Sequence, residues 1–309
     1  MIISASYKTD IPTFYGDWFM NRLRAGFCKM VNPYNREIYR VDLRRAAVDG
    51  FVFWTKNLGP FLKQLPEVQE RGYPFVVQYT INGYPRELET SVVDPNQSVT
   101  HASTLSEKFG PRALVWRYDT ILFSSLTPYA FHLENFSHLA SALSGTAEEV
   151  VISFAQLYRK SKRNLDELVS RDSGFTWWDP CAETKRQLIY DLAAIARTHK
   201  FELSICSQRD LLVPGARDAR CIDAHRLELL GGRRIRAELK GNRTDCGCFA
   251  SRDIGEYDTC PHGCVYCYAV QNREIALRRF HRHNPLSEFL FEPQGAFEVA
   301  GTLPLFEKE

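Results

Sequence analysis

Six short apolar runs recur along the first two-thirds of the chain with helix-patterned segments between them, and no other feature limits the fold as strongly. They are IISAS at 2–6, FVFWT at 51–55, FVVQYTI at 75–81, ALVWRYDTI at 113–121, EVVISFAQL at 149–157 and ELSIC at 202–206. Their β-branched and aromatic residues suit the pleated, packed surface of a strand. Between the runs, Leu58, Phe61, Leu62, Leu65 and Val68 repeat with helical spacing. A second helix is expected around 129–143, and Leu188, Leu192, Ile195 and Ala196 stripe a third over about 184–198. Strands alternating with helices imply a parallel sheet. The expected fold class is α/β, a parallel (β/α) barrel or partial barrel of the TIM-like kind, with a C-terminal cysteine-rich cluster-binding segment.

Polar residues stand at the downstream ends of these runs: Ser4 and Ser6, Lys56 and Asn57, Gln78 and Asn82, Arg117 and Asp119, Ser153, and Cys206 with Gln208. In parallel α/β folds the functional site forms at that edge. Any one of these residues can simply mark where a strand meets solvent; their recurrence at all six ends points to a shared mouth. Lys56 stands out, because lysine is almost never buried unless paired, and it is a candidate for binding an anionic cofactor or substrate group. Arg117 and Asp119 admit two readings, an ion pair at the mouth or substrate-handling residues.

From about residue 211 the pattern changes. VPGARDARC reads as a turn-rich link, GGRR at 231–234 punctuates a basic stretch, and a cysteine-dense block follows. The expected organisation is a barrel-like domain over 1–210, completed by a cysteine-rich iron-sulfur segment over 211–309, with an irregular tail from 286 draped over the body. Five of the nine cysteines fall within 246–267. The N-terminus lacks the apolar core of a signal peptide and no apolar run reaches the ~18 residues of a membrane span, so a soluble cytoplasmic protein is expected. In that setting crowded cysteines favour metal ligation over disulfides. Lys and Arg (39) nearly balance Asp and Glu (37), so net charge singles out neither nucleic acid nor membrane as a partner.

The block reads CGCFASRDIGEYDTCPHGCVYCYA, residues 246–269. Cys260, Cys264 and Cys267 lie on one short loop, and three thiolates can hold three irons of a 4Fe-4S cube while one iron stays open for chemistry. Gly263 allows the tight turn this wrapping requires, and Tyr266 and Tyr268 flank the last cysteine as candidate cofactor contacts. Zinc is the competing reading, although paired CxxC knuckles would be expected for it and only Cys264 to Cys267 has that form. Cys206, Cys221, Cys246 and Cys248 are candidates for a second centre, an auxiliary cluster or zinc. Cys28 and Cys181 read as ordinary thiols. His262 fits a supporting position better than ligation, and Asp253, Tyr257 and Asp258 read as turn-capping loop residues. The clusters Arg233, Arg234, Arg236 and Arg278, Arg279, Arg282 invite phosphate contacts but serve equally as solvated helix faces, so nucleic acid is a weaker expectation.

CPHGCVYCYA has the CxxxCxxC spacing with an aromatic before the last cysteine, and resembles radical S-adenosylmethionine proteins, particularly the spore photolyase-like group. More widely, FWTKN at 53–57, WRYD at 116–119, CID at 221–223 and the CGC and SRDIGEYDTC segments resemble the family numbered 1848 among domains of unknown function. The chain departs from that family's usual form at Gln208 and Thr120. The resemblance implies a radical S-adenosylmethionine enzyme: a 4Fe-4S cluster on Cys260, Cys264 and Cys267, S-adenosylmethionine, an electron donor such as a flavodoxin or ferredoxin, and an unidentified substrate. The alternative is a zinc-stabilised or iron-sulfur electron-transfer protein. The motif follows the last apolar run instead of the first, so nucleoside-binding segments would come from earlier in the chain.

Overall fold

The computed structural model describes residues 1–32, 35, 37–241, 243 and 245–293. All six apolar runs form strands, and two short strands join them: β1 (Ile2–Ala5), β2 (Gly50–Thr55), β3 (Phe75–Thr80), β4 (Leu114–Ile121), β5 (Glu149–Phe154), β6 (Glu202–Ile205), β7 (Ala216–Asp218) and β8 (Ser251–Asp253). The protein is α/β, with one eight-stranded, all-parallel sheet in the order β7-β6-β5-β4-β3-β2-β1-β8. Spatial order follows chain order from β1 to β7. The last strand lies beside the first, with Ile2, Ile3 and Ser4 opposite Ser251, Arg252 and Asp253. β7 and β8 are the two edges of the sheet.

Helices fill the connections: α1 (Ile11–Phe14) and α2 (Gly16–Ala25), α3 (Leu65–Glu70), α4 (Pro95–Phe109), α5 (Tyr129–Ala142), α6 (Arg159–Arg171), α7 (Ala182–Thr198), α8 (Ala224–Gly231) and α9 (Arg273–His281). Two expectations need correction. The pattern over 58–68 is a 3-10 turn, Gly59–Phe61, followed by α3, because Pro66 lacks an N–H and fits only the first turn of a helix. The link VPGARDARC contains β7, whose Ala216, Arg217 and Asp218 pair with Leu203, Ser204 and Ile205. An antiparallel hairpin, Phe27–Val31 with Ile38–Asp42, was not expected.

Successive strand residues point to opposite faces, and both faces are covered, which explains the nearly continuous apolar runs. One face carries Ile3, Phe51, Phe53, Val77, Trp116 and Ile152 into a large core with the helices. The other carries Ile2, Val52, Val76, Val115 and Val151 against Ala219, Cys221, Ile222, Leu227, Ile235, Cys248 and Phe249. The segment between β7 and β8 thus closes over the second face. Residues 285–289 are irregular and lie on α2 and the hairpin: the Trp18 indole donates to the Ser287 carbonyl at 3.0 Å and the Lys29 N–H to that of Glu288 at 2.8 Å. Residues 294–309 of the expected tail lie outside the described residues. Among the described residues no helix is long and apolar enough to cross a membrane.

His132 of α5 is fully buried, its ring nitrogens on the Tyr118 hydroxyl at 3.0 Å and the Leu122 carbonyl at 3.1 Å. Burial pushes its pKa down to about 4. As pH falls from about 6.5 towards 4, the unfolded chain takes a proton that the folded chain refuses, so stability drops across that window and then levels. This group should account for about 3 kcal/mol of the loss. His132→Gln is expected to remove that share of the slope of denaturant stability against pH.

Candidate functional site

The loop carrying Cys260, Cys264 and Cys267 leaves β8 and is pinned to the downstream ends of β1, β2 and β3. Asp258 closes its base: the backbone N–H donates to the Ala269 carbonyl at 3.0 Å, and the carboxylate accepts from the Gln271 N–H. One flank lies along residues 88–91, through Val265 N–H to the Leu88 carbonyl at 3.1 Å, Ser91 N–H to the His262 carbonyl at 2.9 Å, and a bridge between Glu89 and Cys264. Gly263 sits at φ +75, and a Cβ there would fall 2.7 Å from Cδ of Arg273. Only glycine suits both the turn and the space.

Asp10 is the central fastener, and the sequence reading missed it. Its Oδ1 accepts the Thr13 N–H at 2.9 Å, capping α1; its Oδ2 accepts the Lys56 N–H at 2.7 Å and the Thr55 hydroxyl at 3.1 Å. The same Oδ2 lies 2.7 Å from Nε2 of His262, whose ring is buried with its edge against Phe14. One carboxylate therefore joins the first helix, the FWTKN turn and the cysteine loop, and His262 anchors the loop in place. The TDIP sequence, a capping aspartate two residues before proline, carried the signal.

The three thiols are half-buried and within electrostatic reach of one another. Burial first, then Asp10 and the other two sulfurs, pushes the Cys260 thiol well up. Burial also raises Cys264, against the pull of Lys56, and Cys267. Next to them the Lys56 ammonium donates to Glu89 at 2.7 Å and to the Tyr266 hydroxyl at 3.0 Å, and Asn82 donates to the same two oxygens at 3.0 and 3.1 Å. Tyr266 itself donates to Glu89. Burial works against both charges of the Lys56–Glu89 pair. Each partner outweighs it, so Lys56 stands above the ordinary lysine range and Glu89 below the ordinary carboxylate range. The hydroxyl of Tyr268 donates to the Tyr7 carbonyl at 2.6 Å, and its ring faces Tyr158 at 6.2 Å and the Arg243 guanidinium at 5.6 Å. Both tyrosines expected at the cofactor thus use their hydroxyls to hold the loop.

Asp253 does more than cap a turn. It is buried, accepts the Ser4 and Ser6 hydroxyls at 2.7 and 2.8 Å and the Tyr7 and Gly255 N–H groups at 3.0 and 2.9 Å, and lies 3.7 Å from the Lys8 ammonium. It joins β8 to β1 just ahead of the cysteine loop.

Arg117, almost fully buried, pairs through Nε with Asp119 at 3.0 Å and directs Nη1 to Gln78 at 3.1 Å and to the Cys221 sulfur at 3.0 Å. Ser153 donates to Asp119, and Asn82 accepts the Asp119 N–H at 2.9 Å. Burial disfavours the Asp119 carboxylate, yet Arg117 holds it below the usual range. The expected second group also comes together in part: the Cys221 and Cys206 sulfurs stand 3.5 Å apart, and Cys221 in turn meets Cys248 and Cys248 meets Cys246. Gln208, a departure from the family's form, bonds both backbone groups of Phe154 at 2.8 and 3.2 Å; Thr120 donates to the Ser153 carbonyl at 3.2 Å. Cys28 is buried in the core and Cys181 is exposed ahead of α7. Arg233, Arg234, Arg236, Arg278 and Arg282 face solvent, whereas Arg279 donates to the Tyr257 carbonyl at 2.7 Å.

Among the described residues, no group of three or more His, Cys, Asp or Glu side chains is placed to hold a single metal ion. The FWTKN, WRYD and CID segments nevertheless all meet the downstream ends of the strands: Trp54 donates to Ser4 at 3.1 Å, Trp116 to the Ile81 carbonyl at 3.0 Å, and Gln78 to the Cys221 carbonyl at 2.8 Å. No curated protein and no solved structure matches the chain. One family model, described as "Domain of unknown function (DUF1848)", matches residues 2–269, which takes in every strand of the sheet and all seven cysteines discussed above. The chain belongs to that family.

Proposed function

We propose that the protein is a radical S-adenosylmethionine enzyme, its sheet curled as a partial (β/α) barrel that is open between β7 and β8, with Cys260, Cys264 and Cys267 as ligands of a 4Fe-4S cluster. The observation that carries this reading is the placement of three half-buried thiols on one short loop at the downstream edge of an all-parallel sheet, where α/β enzymes act. The donor set fits. Three thiols on one loop would hold three irons of such a cube and leave the fourth open, and the thiols of this loop act on one another electrostatically. When bound, such a cluster reduces S-adenosylmethionine and supplies a 5'-deoxyadenosyl radical.

The chain's own residues then have defined tasks. Asp10 and His262 fix the loop, and Glu89, Asn82 and Tyr266 hold the Lys56 ammonium. Of its three N–H donors, Lys56 uses two on Glu89 and Tyr266, and the third is available to a carboxylate of cofactor or substrate. Arg117 and Asp119, held rigid by Gln78 and Ser153, face the same mouth. A flavodoxin or ferredoxin would supply the electron.

The test is anaerobic reconstitution with iron and sulfide. We expect a reduced-cluster EPR signal that S-adenosylmethionine perturbs, and release of 5'-deoxyadenosine with dithionite. Protein that holds iron and sulfide but shows neither overturns the reading, and stoichiometric zinc without iron favours a zinc-stabilised protein instead.

A further inference from the structure

β7 and β8 are the edges of the sheet, and within the described residues no ladder joins them. The chain beyond β7 meets the chain ahead of β8 all the same, the Phe249 N–H donating to the Ile222 carbonyl at 3.0 Å, so a seam runs between the two edges. Four cysteines gather from the two sides of this seam. Cys206 directly follows β6 and Cys221 lies just beyond β7, while Cys246 and Cys248 form a CxC pair on the approach to β8. Cys221 and Cys248 lie within the smaller core, and Cys206 and Cys246 pack against it.

The surroundings are those of a soft-metal ligand shell. The Ile222 N–H donates to the Cys248 sulfur at 3.3 Å and Arg117 Nη1 lies 3.0 Å from that of Cys221. Bonds of this kind orient thiolate ligands and tune the metal they hold. A divalent ion on four thiolates leaves two negative charges, and the cations Arg117 and Arg243 act on Cys206 together with the Asp119 carboxylate that pairs with Arg117. Gly241 comes close to the first cysteine of the CxC pair: a Cβ there would fall 2.3 Å from the Cys246 carbonyl oxygen.

We propose that Cys206, Cys221, Cys246 and Cys248 form a four-thiolate site for a thiophilic metal centre that fastens the seam between β7 and β8. The sulfurs stand in file, Cys206 on Cys221, Cys221 on Cys248 and Cys248 on Cys246. Drawing them round one centre needs side-chain rotation at the ends of the file, Cys206 and Cys246, which are the two partly exposed members. Each thiol gives its proton to solvent as it ligates. Arg117 is on this reading a positioning residue for the centre, and the four ligands share no residue with the cluster cysteines proposed for the S-adenosylmethionine chemistry.

The experiment uses the full chain, purified without oxygen, in which Cys260, Cys264 and Cys267 are all replaced by alanine. We expect it to retain either about one zinc or about four irons with matching sulfide per chain, the two contents distinguishing the kinds of centre. Adding Cys221→Ser should remove that metal, and so should Cys246→Ser, whose partly exposed position leaves the fold intact by circular dichroism. A chelator should lower the melting temperature of the triple variant but not of the Cys246→Ser form. A triple variant without metal, or metal unmoved by both serine substitutions, overturns the proposal. Wild-type protein that makes no 5'-deoxyadenosine while the triple variant keeps its metal would sink only the radical reading.

Discussion

Cys264→Ala is expected to lower 5'-deoxyadenosine formation by more than about a hundredfold, since even a residue that only supports a metal ligand costs ten- to a hundredfold when lost. Cys264 is the middle cysteine of the three, the one next to Lys56 and Glu89. The bridge between Glu89 and residue 264 belongs to the backbone and survives the substitution. Iron content should therefore fall while the far-UV circular dichroism stays unchanged. Cys181→Ala, at an exposed position ahead of α7, is the matched control and should leave both iron and product at wild-type level. Wild-type turnover by Cys264→Ala would exclude this cysteine from the proposed ligand set.

Asp253→Ala should destabilise the protein by about 3–5 kcal/mol, because it strips the acceptor from several buried donors together. The Tyr7 and Gly255 N–H groups lose their partner outright, and the Ser4 and Ser6 hydroxyls, buried beside them, must find another. Asp253→Asn keeps the size but offers one carbonyl oxygen in place of two, so a smaller loss is expected. Urea unfolding of the two variants checks the order. The cysteine loop starts from this junction, so iron retention should fall with stability, in contrast to Cys264→Ala, where iron falls alone.

The sequence made the central strands legible because both faces of the sheet are covered, so β2 to β5 read as unbroken apolar runs. The edge strands escaped notice for the same physical reason in reverse. ARD and SRD are short and polar, and their extended form comes from pairing with β6 and β1. The cysteine groups were visible from spacing, and Lys56 from the cost of burying a lone ammonium. Its partner Glu89 was not, because GYPRELET carries no periodic signal and the carboxylate reaches Lys56 only once the loop after β3 folds back. Asp253 looked like a turn residue because its acceptors' partners lie at the other end of the chain.

That last separation governs how the protein is made. The Ser4 hydroxyl and the Asp253 carboxylate stand 249 positions apart in sequence, so β1 leaves the ribosome with one flank unpaired and keeps it so until nearly the whole chain has followed. Contacts this distant in sequence form slowly, and an exposed strand edge meanwhile invites wrong partners. The cysteine loop follows the strand that ends this exposure. On the function proposed here, a cluster on that loop would be loaded only after every strand of the sheet has been made.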